Sequence, residues 1–284
     1  MTDLSATAVV TVTYNSSSAL GTFLESVNAS ESVSPPVTIA DNLSADIEQT
    51  REIAAKSGAT VLSLGQNLGY GAGTNAAVKS VPAAYQFILI SNPDVIVHPG
   101  AIGTLLEALH SNPTAGAVGP RVLNSDGSTY PSARRLPSLR TGAGHAMFSR
   151  IWQRNPWTRS YRAEREAHDE LRSVGWLSGS CLLIRRAAFE EVGGFDDDFF
   201  MYFEDVDLGY RLGKAGWANL YVPNAVVTHT GAHSTSADSS RMIVAHHQSA
   251  YLFLSRKYHA WYLAPVRWVL RASLMVRSWW VTHK

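Results

Sequence analysis

Residues 8–42, "AVVTVTYNSSSALGTFLESVNASESVSPPVTIADN", decide the fold. The first eight residues are apolar, β-branched and uncharged, the composition of a strand buried on both faces. Serines 16–18 then open a stretch in which Leu20, Phe23, Leu24 and Val27 recur at helical spacing. A second strand follows over 36–42 and ends on Asp41. Strand, helix and strand in one short stretch make a crossover unit, which places the two strands parallel.

The pattern continues outward from this unit. "ADIEQTREIAAKSGA" (45–59) reads as a helix, "TVLSL" (60–64) as a strand, and "GYGAGTNAAVKSV" (69–81) as a glycine turn running into a helix. "YQFILISNPD" (85–94) reads as a strand ending on Asp94, and "GAIGTLLEALHSNP" (100–113) as a further crossover helix. The alternation predicts an α/β fold with a mainly parallel, doubly wound central sheet flanked by helices. Ligands of such sheets bind beyond the carboxyl ends of the strands, so Asn15, Asp41 and Asp94 are site candidates by position alone.

The second half is less regular. Residues 121–175 are rich in Arg, Pro, Ser and Trp and read as loop, with a short helix around 159–170. Residues 175–196 read as a strand, a short helix and a glycine turn. Residues 217–230 read as two short strands ending at His229, and the chain from about 240 onward reads as helix. The expected organisation is one domain over 1–235 with a C-terminal helical extension over 236–284.

Hydrophobic residues make up 45% of the chain and charged residues 17%, enough apolar matter for a core and too little charge for disorder. A net charge of +1 gives no field for nucleic acid. The single cysteine, Cys181, excludes an intramolecular disulfide, fits a reducing compartment and is expected to be buried and inert. The N-terminus has no basic n-region and carries Asp3, unlike a signal peptide. No run of about 18 uncharged apolar residues predicts a spanning helix.

Two stretches carry candidate chemistry. "NLGYGAGTN" (67–75) suggests a dinucleotide turn, but Thr74 stands where the third glycine belongs, and no Gly-Lys-Ser/Thr follows. Read alone it is a strand-to-helix turn. "FFMYFEDVDLGYRLGKAGW" (199–217) sets Glu204, Asp205 and Asp207 behind an aromatic run. Asp207 and Arg211, four apart, can pair on one helical face. Glu204 and Asp205 sit where a helix N-terminus favours carboxylates, and the apolar run before them could tune a pKa.

In order, "VTYN" (12–15), "ADN" (40–42), "NLGYGAGTN", "SNPD" (91–94), "GSC" (179–181), "GGFDDDFFMYFEDVDLGYRLGKAGW" (193–217) and "VTHTGAHS" (227–234) resemble the inverting glycosyltransferases of family 2, with the GT-A fold. The resemblance spans residues 8 to about 235. "YPSARRLPS" (130–138), "RNPWT" (154–158), "VGWLSGSCLLIRR" (174–186) and "AHH" (245–247) narrow it to the rhamnosyltransferases of actinobacterial cell-wall linker synthesis. These transfer L-rhamnose from dTDP-rhamnose to N-acetylglucosaminyl-diphospho-polyprenol. Other sugars (galactofuranose, glucose, N-acetylglucosamine) and a non-catalytic nucleotide-sugar scaffold are the alternatives.

The resemblance implies roles for particular residues. Thr13, Tyr14, Asn15, Asp41, Asn67, Gly69, Asn75, Asn92 and Asp94 would hold the nucleotide sugar. Tyr14 would wall the base and Asp41 accept its imide N–H, the bland readings being core packing and a helix cap. Asp94 would bind a divalent cation, Mg²⁺ or Mn²⁺, although the family's Asp-x-Asp is "NPD" here. His229 is the second candidate ligand, with His233 a poorer one. Asp205 would be the general base and Glu204 would orient the acceptor, the bland reading being a charged helix start. Arg134 and Arg135 would meet a diphosphate, with a solvated loop as the alternative. Trp176, Gly179 and Ser180 would lie on the same acceptor side.

The tail "YHAWYLAPVRWVLRASLMVRSWWVTHK" (258–284) holds four tryptophans with Arg267, Arg271, Arg277 and Lys284, and no acid follows Asp238. That composition suits the headgroup region of an anionic bilayer and predicts a peripheral enzyme on the inner face of the cell membrane. A helix packed on the domain is the alternative. Expected partners are the nucleotide sugar, the lipid-linked acceptor, the membrane surface and a second copy of the chain.

Overall fold

The computed structural model describes residues 3–138, 169–231 and 239–282. The opening stretch folds as β1 (Thr7–Thr13), α1 (Ser17–Ser30) and β2 (Val37–Asp41), followed by α2 (Ile47–Ser57), β3 (Thr60–Ser63), α3 (Tyr70–Ser80) and β4 (Phe87–Ser91). Then come β5 (Val95–Val97), α4 (Ala101–Ser111), β6 (Ala115–Leu123) and two short strands, β7 (Thr129–Tyr130) and β8 (Ala133–Arg134). The rest comprises β9 (Arg172–Val174), β10 (Trp176–Leu177), β11 (Cys181–Arg185), α5 (Arg186–Glu191), α6 (Glu204–Lys214), β12 (Ala218–His229), α7 (Ser239–Lys257) and α8 (Ala264–Thr282).

The main sheet has the order β3-β2-β1-β4-β11-β6-β12-β5. The pairs β2–β3, β1–β2, β1–β4 and β6–β12 are parallel, while β11 runs against β4 and β6, and β5 against β12. The fold is therefore α/β with a mostly parallel sheet, as the alternation predicts, plus reversed strands that it does not show: β11 and β5 in the order above, and β7 and β9 beside β6 and β12.

Side-chain alternation explains why the strands are apolar on both faces. Val9, Ile39 and Leu89 pack with Leu20, Phe23 and Leu24 of α1 and Leu105 of α4 on one side. Val10, Ile88 and Ile90 pack with Ala77 and Val78 of α3, Phe189 of α5 and Leu208 and Leu212 of α6 on the other. Each fully buried large apolar side chain is worth about 1.5–3 kcal/mol, so a charge at any of these positions would be costly.

The structure corrects three details. Residues 121–123 belong to β6 rather than to a loop, and β7 to β10 carry short pairings into the supposed loop region. Residues 218–229 form one strand, not two: an irregularity between Val222 and Val226 absorbs Pro223 and keeps the pairing with β6. Asp94 lies three residues beyond the end of β4, on the turn into β5. The helix expected around 159–170 falls mostly outside the described residues, as does the boundary between 235 and 236.

α7 packs on the domain through Phe253, which is buried with Phe199 and Val206. Ser249 Oγ donates to the Met201 carbonyl at 2.9 Å. α8 packs back on α7. Trp261, Tyr262, Trp268, Val269 and Met275 remain exposed. Among the described residues no helix is long and apolar enough to cross a membrane.

Candidate active site

The topology collects the candidates at one edge of the sheet. β1, β2 and β4 end there, and β11, being reversed, begins there, with Cys181 opposite Ser91. The end of β12 meets the start of β5, with His229 opposite Val95. Thr13 to Asn15, Asp41, Asn92, Asp94, Gly179, Ser180 and His229 thus share an edge although they are spread over most of the chain.

On the β1–β2 side the loops are laced together. Thr13 Oγ1 donates to Asp41 Oδ2 at 3.0 Å, and the Ser44 N–H donates to Asp41 Oδ1 at 3.0 Å. Asn15 has a positive φ of 52°, donates its N–H to Ser44 Oγ, and accepts the Ala45 N–H at 2.7 Å. Asp41 is 1% exposed, and both of its oxygens already have donors. Tyr14, next to Thr13, is 44% exposed. Asn42 carries the lacing to the glycine turn by donating to the Gly69 carbonyl at 2.9 Å. Asn67 caps that turn by accepting the Gly69 N–H at 3.0 Å. Gly69 itself is required: its φ is 85°, and a Cβ would lie 2.2 Å from the Phe200 carbonyl oxygen. Asn75 is used differently. Its amide donates to the Phe195 carbonyl and Asp197 and accepts the Phe195 N–H, strapping α3 to the 195–197 turn.

Asp94 and His229 are brought together, with Oδ1 and Nε2 3.0 Å apart. Asn92 Nδ2 lies 3.3 Å from the same nitrogen. One imidazole nitrogen therefore faces a carboxylate and an amide and can satisfy only one. A separation of 3.0 Å is also what two neighbouring ligands of an octahedral cation with bonds of about 2.1 Å would show. The pair could supply two ligands to a divalent cation, whose remaining ligands would have to come from outside the described side chains. No group of three or more His, Cys, Asp or Glu side chains assembles among the described residues. His233 lies outside them.

α6 begins at Glu204 after two consecutive left-handed residues, Tyr202 and Phe203, each with φ 66°. Such backbone is costly for non-glycine residues and marks a site held by its surroundings. Here Ser249 holds Met201, and His246 stands edge-on to both rings, at 5.5 and 5.4 Å. The strained turn points the two acids in different directions. Glu204 is 7% exposed, and its Oε2 is buried without a hydrogen-bond partner. Burial, then the charge of Asp205, pushes its carboxyl up to about 8. Asp205 is only partly buried. It accepts the Gly179 N–H at 3.0 Å and the Val206 N–H at 2.8 Å. Burial raises it to about 6, against those two N–H groups and the Arg134 charge. The surroundings thus push the two neighbouring carboxyls to different extents, Glu204 further than Asp205. Asp207 pairs with Arg211 at 2.6 Å, the structural role read from their spacing.

Arg134 sits between the rings of Tyr130 and Trp176, 5.8 and 5.7 Å from their centroids. Its Nε is spent on the Pro131 carbonyl at 2.7 Å, so the rest of the guanidinium is what it can offer a ligand. Arg135 is exposed and holds Trp176 Nε1 with its carbonyl at 3.1 Å. Ser180, with its carbonyl on the Asn92 N–H, lines a cleft of about 510 Å³ together with Ser178, Tyr130, His229 and Thr230. Tyr70 was not among the sequence candidates, yet its hydroxyl donates to the Gly179 carbonyl at 2.5 Å. The only linear signal was its place inside the glycine turn.

A family described as "Glycosyltransferase like family 2" matches residues 5–245. The N-acetylglucosaminyl-diphospho-decaprenol L-rhamnosyltransferase of Mycobacterium tuberculosis is 47% identical over 279 residues, covering 95% of this chain and 91% of its own. A mannosyltransferase of Pyrobaculum calidifontis, solved with GDP-Man and Mn²⁺, superposes with a TM-score of 0.61 at 14% identity, over 99% of this chain and 74% of its own. GalNAc-T7, solved with UDP, GalNAc and Mn²⁺, gives 0.56 at 18% identity, over 84% of this chain and 48% of its own. The two structures speak for the fold and the sequence matches for the family: the chain belongs to glycosyltransferase family 2 and is a glycosyltransferase of the GT-A fold.

Proposed function

We propose that this enzyme transfers L-rhamnose, with inversion, from dTDP-rhamnose to the sugar of N-acetylglucosaminyl-diphospho-polyprenol. The observation that carries the reading is the 47% identity, over nearly the whole of both chains, to an enzyme named for that transfer. In this reading Asp205 takes the proton of the acceptor hydroxyl as its oxygen attacks the anomeric carbon. The bond from that carbon to the donor phosphate breaks on the opposite face, and dTDP leaves. Glu204, neutral at working pH, donates a hydrogen bond to the acceptor sugar. Tyr14 faces the base, and Arg134 lies toward a diphosphate. Asp94 and His229 would hold a divalent cation, which neutralises charge building on the departing diphosphate. The structural neighbours solved with Mn²⁺ fit the use of a divalent cation by this fold.

The exposed face of Trp261, Tyr262, Trp268 and Val269, flanked by Arg267 and Arg271, supports attachment to an anionic bilayer where a polyprenyl acceptor resides. The decisive experiment offers the protein a panel of nucleotide sugars and weighs the products. The acceptor is presented both as a short soluble lipid and as a long polyprenyl lipid in anionic vesicles. A single deoxyhexose added from dTDP-rhamnose is expected, with the advantage of the vesicle arm lost when residues after Ala260 are removed. A different preferred sugar overturns the donor assignment, and an unchanged vesicle arm makes the tail a packing element.

A further inference from the structure

Tyr70 lies where three parts of the site meet. It is the first residue of α3, directly after Gly69. Its N–H donates to the Phe200 carbonyl at 3.1 Å, and its ring stands edge-on to Phe195 at 6.1 Å. Its hydroxyl reaches across to the Gly179 carbonyl. Gly179 gives its other backbone group, the N–H, to Asp205. One glycine is thus held at both polar ends, by the phenol and by the carboxylate. The fit is close: a Cβ on Gly179 would lie 3.3 Å from Tyr70 Cε1 and 3.5 Å from Asp205 Cβ. Burial keeps the phenol well above its ordinary range, so it remains a donor throughout the working pH.

We propose that Tyr70 is a positioning residue for the Asp205 carboxylate, acting by fixing Gly179 so that its N–H meets that carboxylate. The proposal rests on Asp205 being the base. Without the hydroxyl, the Gly179 carbonyl loses its partner and the residue is free to shift. Asp205 then loses the full strength of a donor that favours its charged form.

Tyr70→Phe keeps the ring and its packing on Phe195 and removes only the hydroxyl. The full-length variant is compared with the unaltered enzyme and with Asp205→Asn, using dTDP-rhamnose and the short soluble acceptor across pH 5–9. Expected for Tyr70→Phe are a kcat lower by roughly three- to tenfold, the scale of one hydrogen bond, and an unchanged KM for the donor. The acidic limb of kcat/KM is expected to move to higher pH. Limb position does not depend on how much of the variant folds, so loss of protein cannot imitate the shift. A limb that stays in place, whatever kcat does, overturns the proposal while leaving Asp205 as the base if Asp205→Asn is inactive. Near-normal turnover of Asp205→Asn removes the base assignment and the proposal together.

Discussion

Asp94, on the turn from β4 into β5, and Glu204, at the start of α6, are held in opposite ways. Asp94 is turned toward a histidine nitrogen, and its backbone carbonyl also receives the Thr230 N–H and hydroxyl. Its carboxylate is 17% exposed and has that nitrogen 3.0 Å away. Glu204 is packed behind an aromatic run with one oxygen left without a partner, and its neighbour is another carboxylate. There a second negative charge is resisted. In the proposed reading the difference separates two jobs that both need acids: holding a cation requires a carboxylate that stays charged, whereas moving a proton requires acids whose charge is negotiable.

Three tests break or sharpen this contrast. The largest effect is expected on the Asp94 side. Removing divalent cations with a chelator should abolish transfer, and Mg²⁺ or Mn²⁺ should restore it. Asp94→Ala should weaken donor binding when metal is present and barely change it when metal is absent. Full activity in chelator would leave the Asp94–His229 pair as an ordinary hydrogen bond.

Next comes Asp205→Asn, which preserves shape but cannot accept the proton. Turnover should fall by roughly 10²-fold or more with donor affinity retained. The unaltered enzyme should gain activity as pH rises through about 6, where Asp205 ionises. A flat profile between pH 5 and 7 would count against the division of labour between the two acids.

The smallest effect concerns stability. The folded protein keeps the Glu204 proton up to about 8, whereas the unfolded chain releases it near the ordinary 4.5. Between those values the folded state binds more protons, so stability is lost as pH rises. Glu204→Gln removes this term. Its melting temperature should gain on that of the unaltered protein at pH 8 relative to pH 5, by a few degrees in order of magnitude. Parallel melting curves at both pH values would mean that Glu204 is ionised in the fold.

The first half of the chain was legible because each strand there is a continuous apolar run and each helix has its own periodic stripe. β6 was not, because Gly116, Gly119 and Pro120 look like loop residues. Their reason is tertiary. A Cβ on Gly116 would lie 2.8 Å from Trp217 Cβ, and one on Gly119 would lie 2.7 Å from Leu177 Cδ2, so large neighbours occupy the space. β12 read as two strands because Pro223 and Asn224 interrupt it, and only the pairing with β6 shows that the strand continues. At the candidate site, Asp94, His229, Glu204 and Asp205 were singled out by family resemblance, Asp94 also by its position beyond a strand; the structure brings Asp94 to His229 and Asp205 to Gly179. Tyr70 was missed because its partner is 109 residues away and is a backbone carbonyl, which no side-chain motif reveals. Asn75 carried the right motif, but the fold spends its amide on the 195–197 turn.

Cys181 gives the molecule a built-in clock. It is the chain's only thiol, lies opposite Ser91 in the middle of the sheet, is 2% exposed, and is pushed up to about 12 by burial. Alkylating reagents attack the exposed thiolate, so this sulfur reacts only during excursions that lift β11 away from β4. Its labelling rate in native buffer therefore counts the openings of the strand that begins beside Gly179 and Ser180, and a bound substrate that steadies that edge should slow the count.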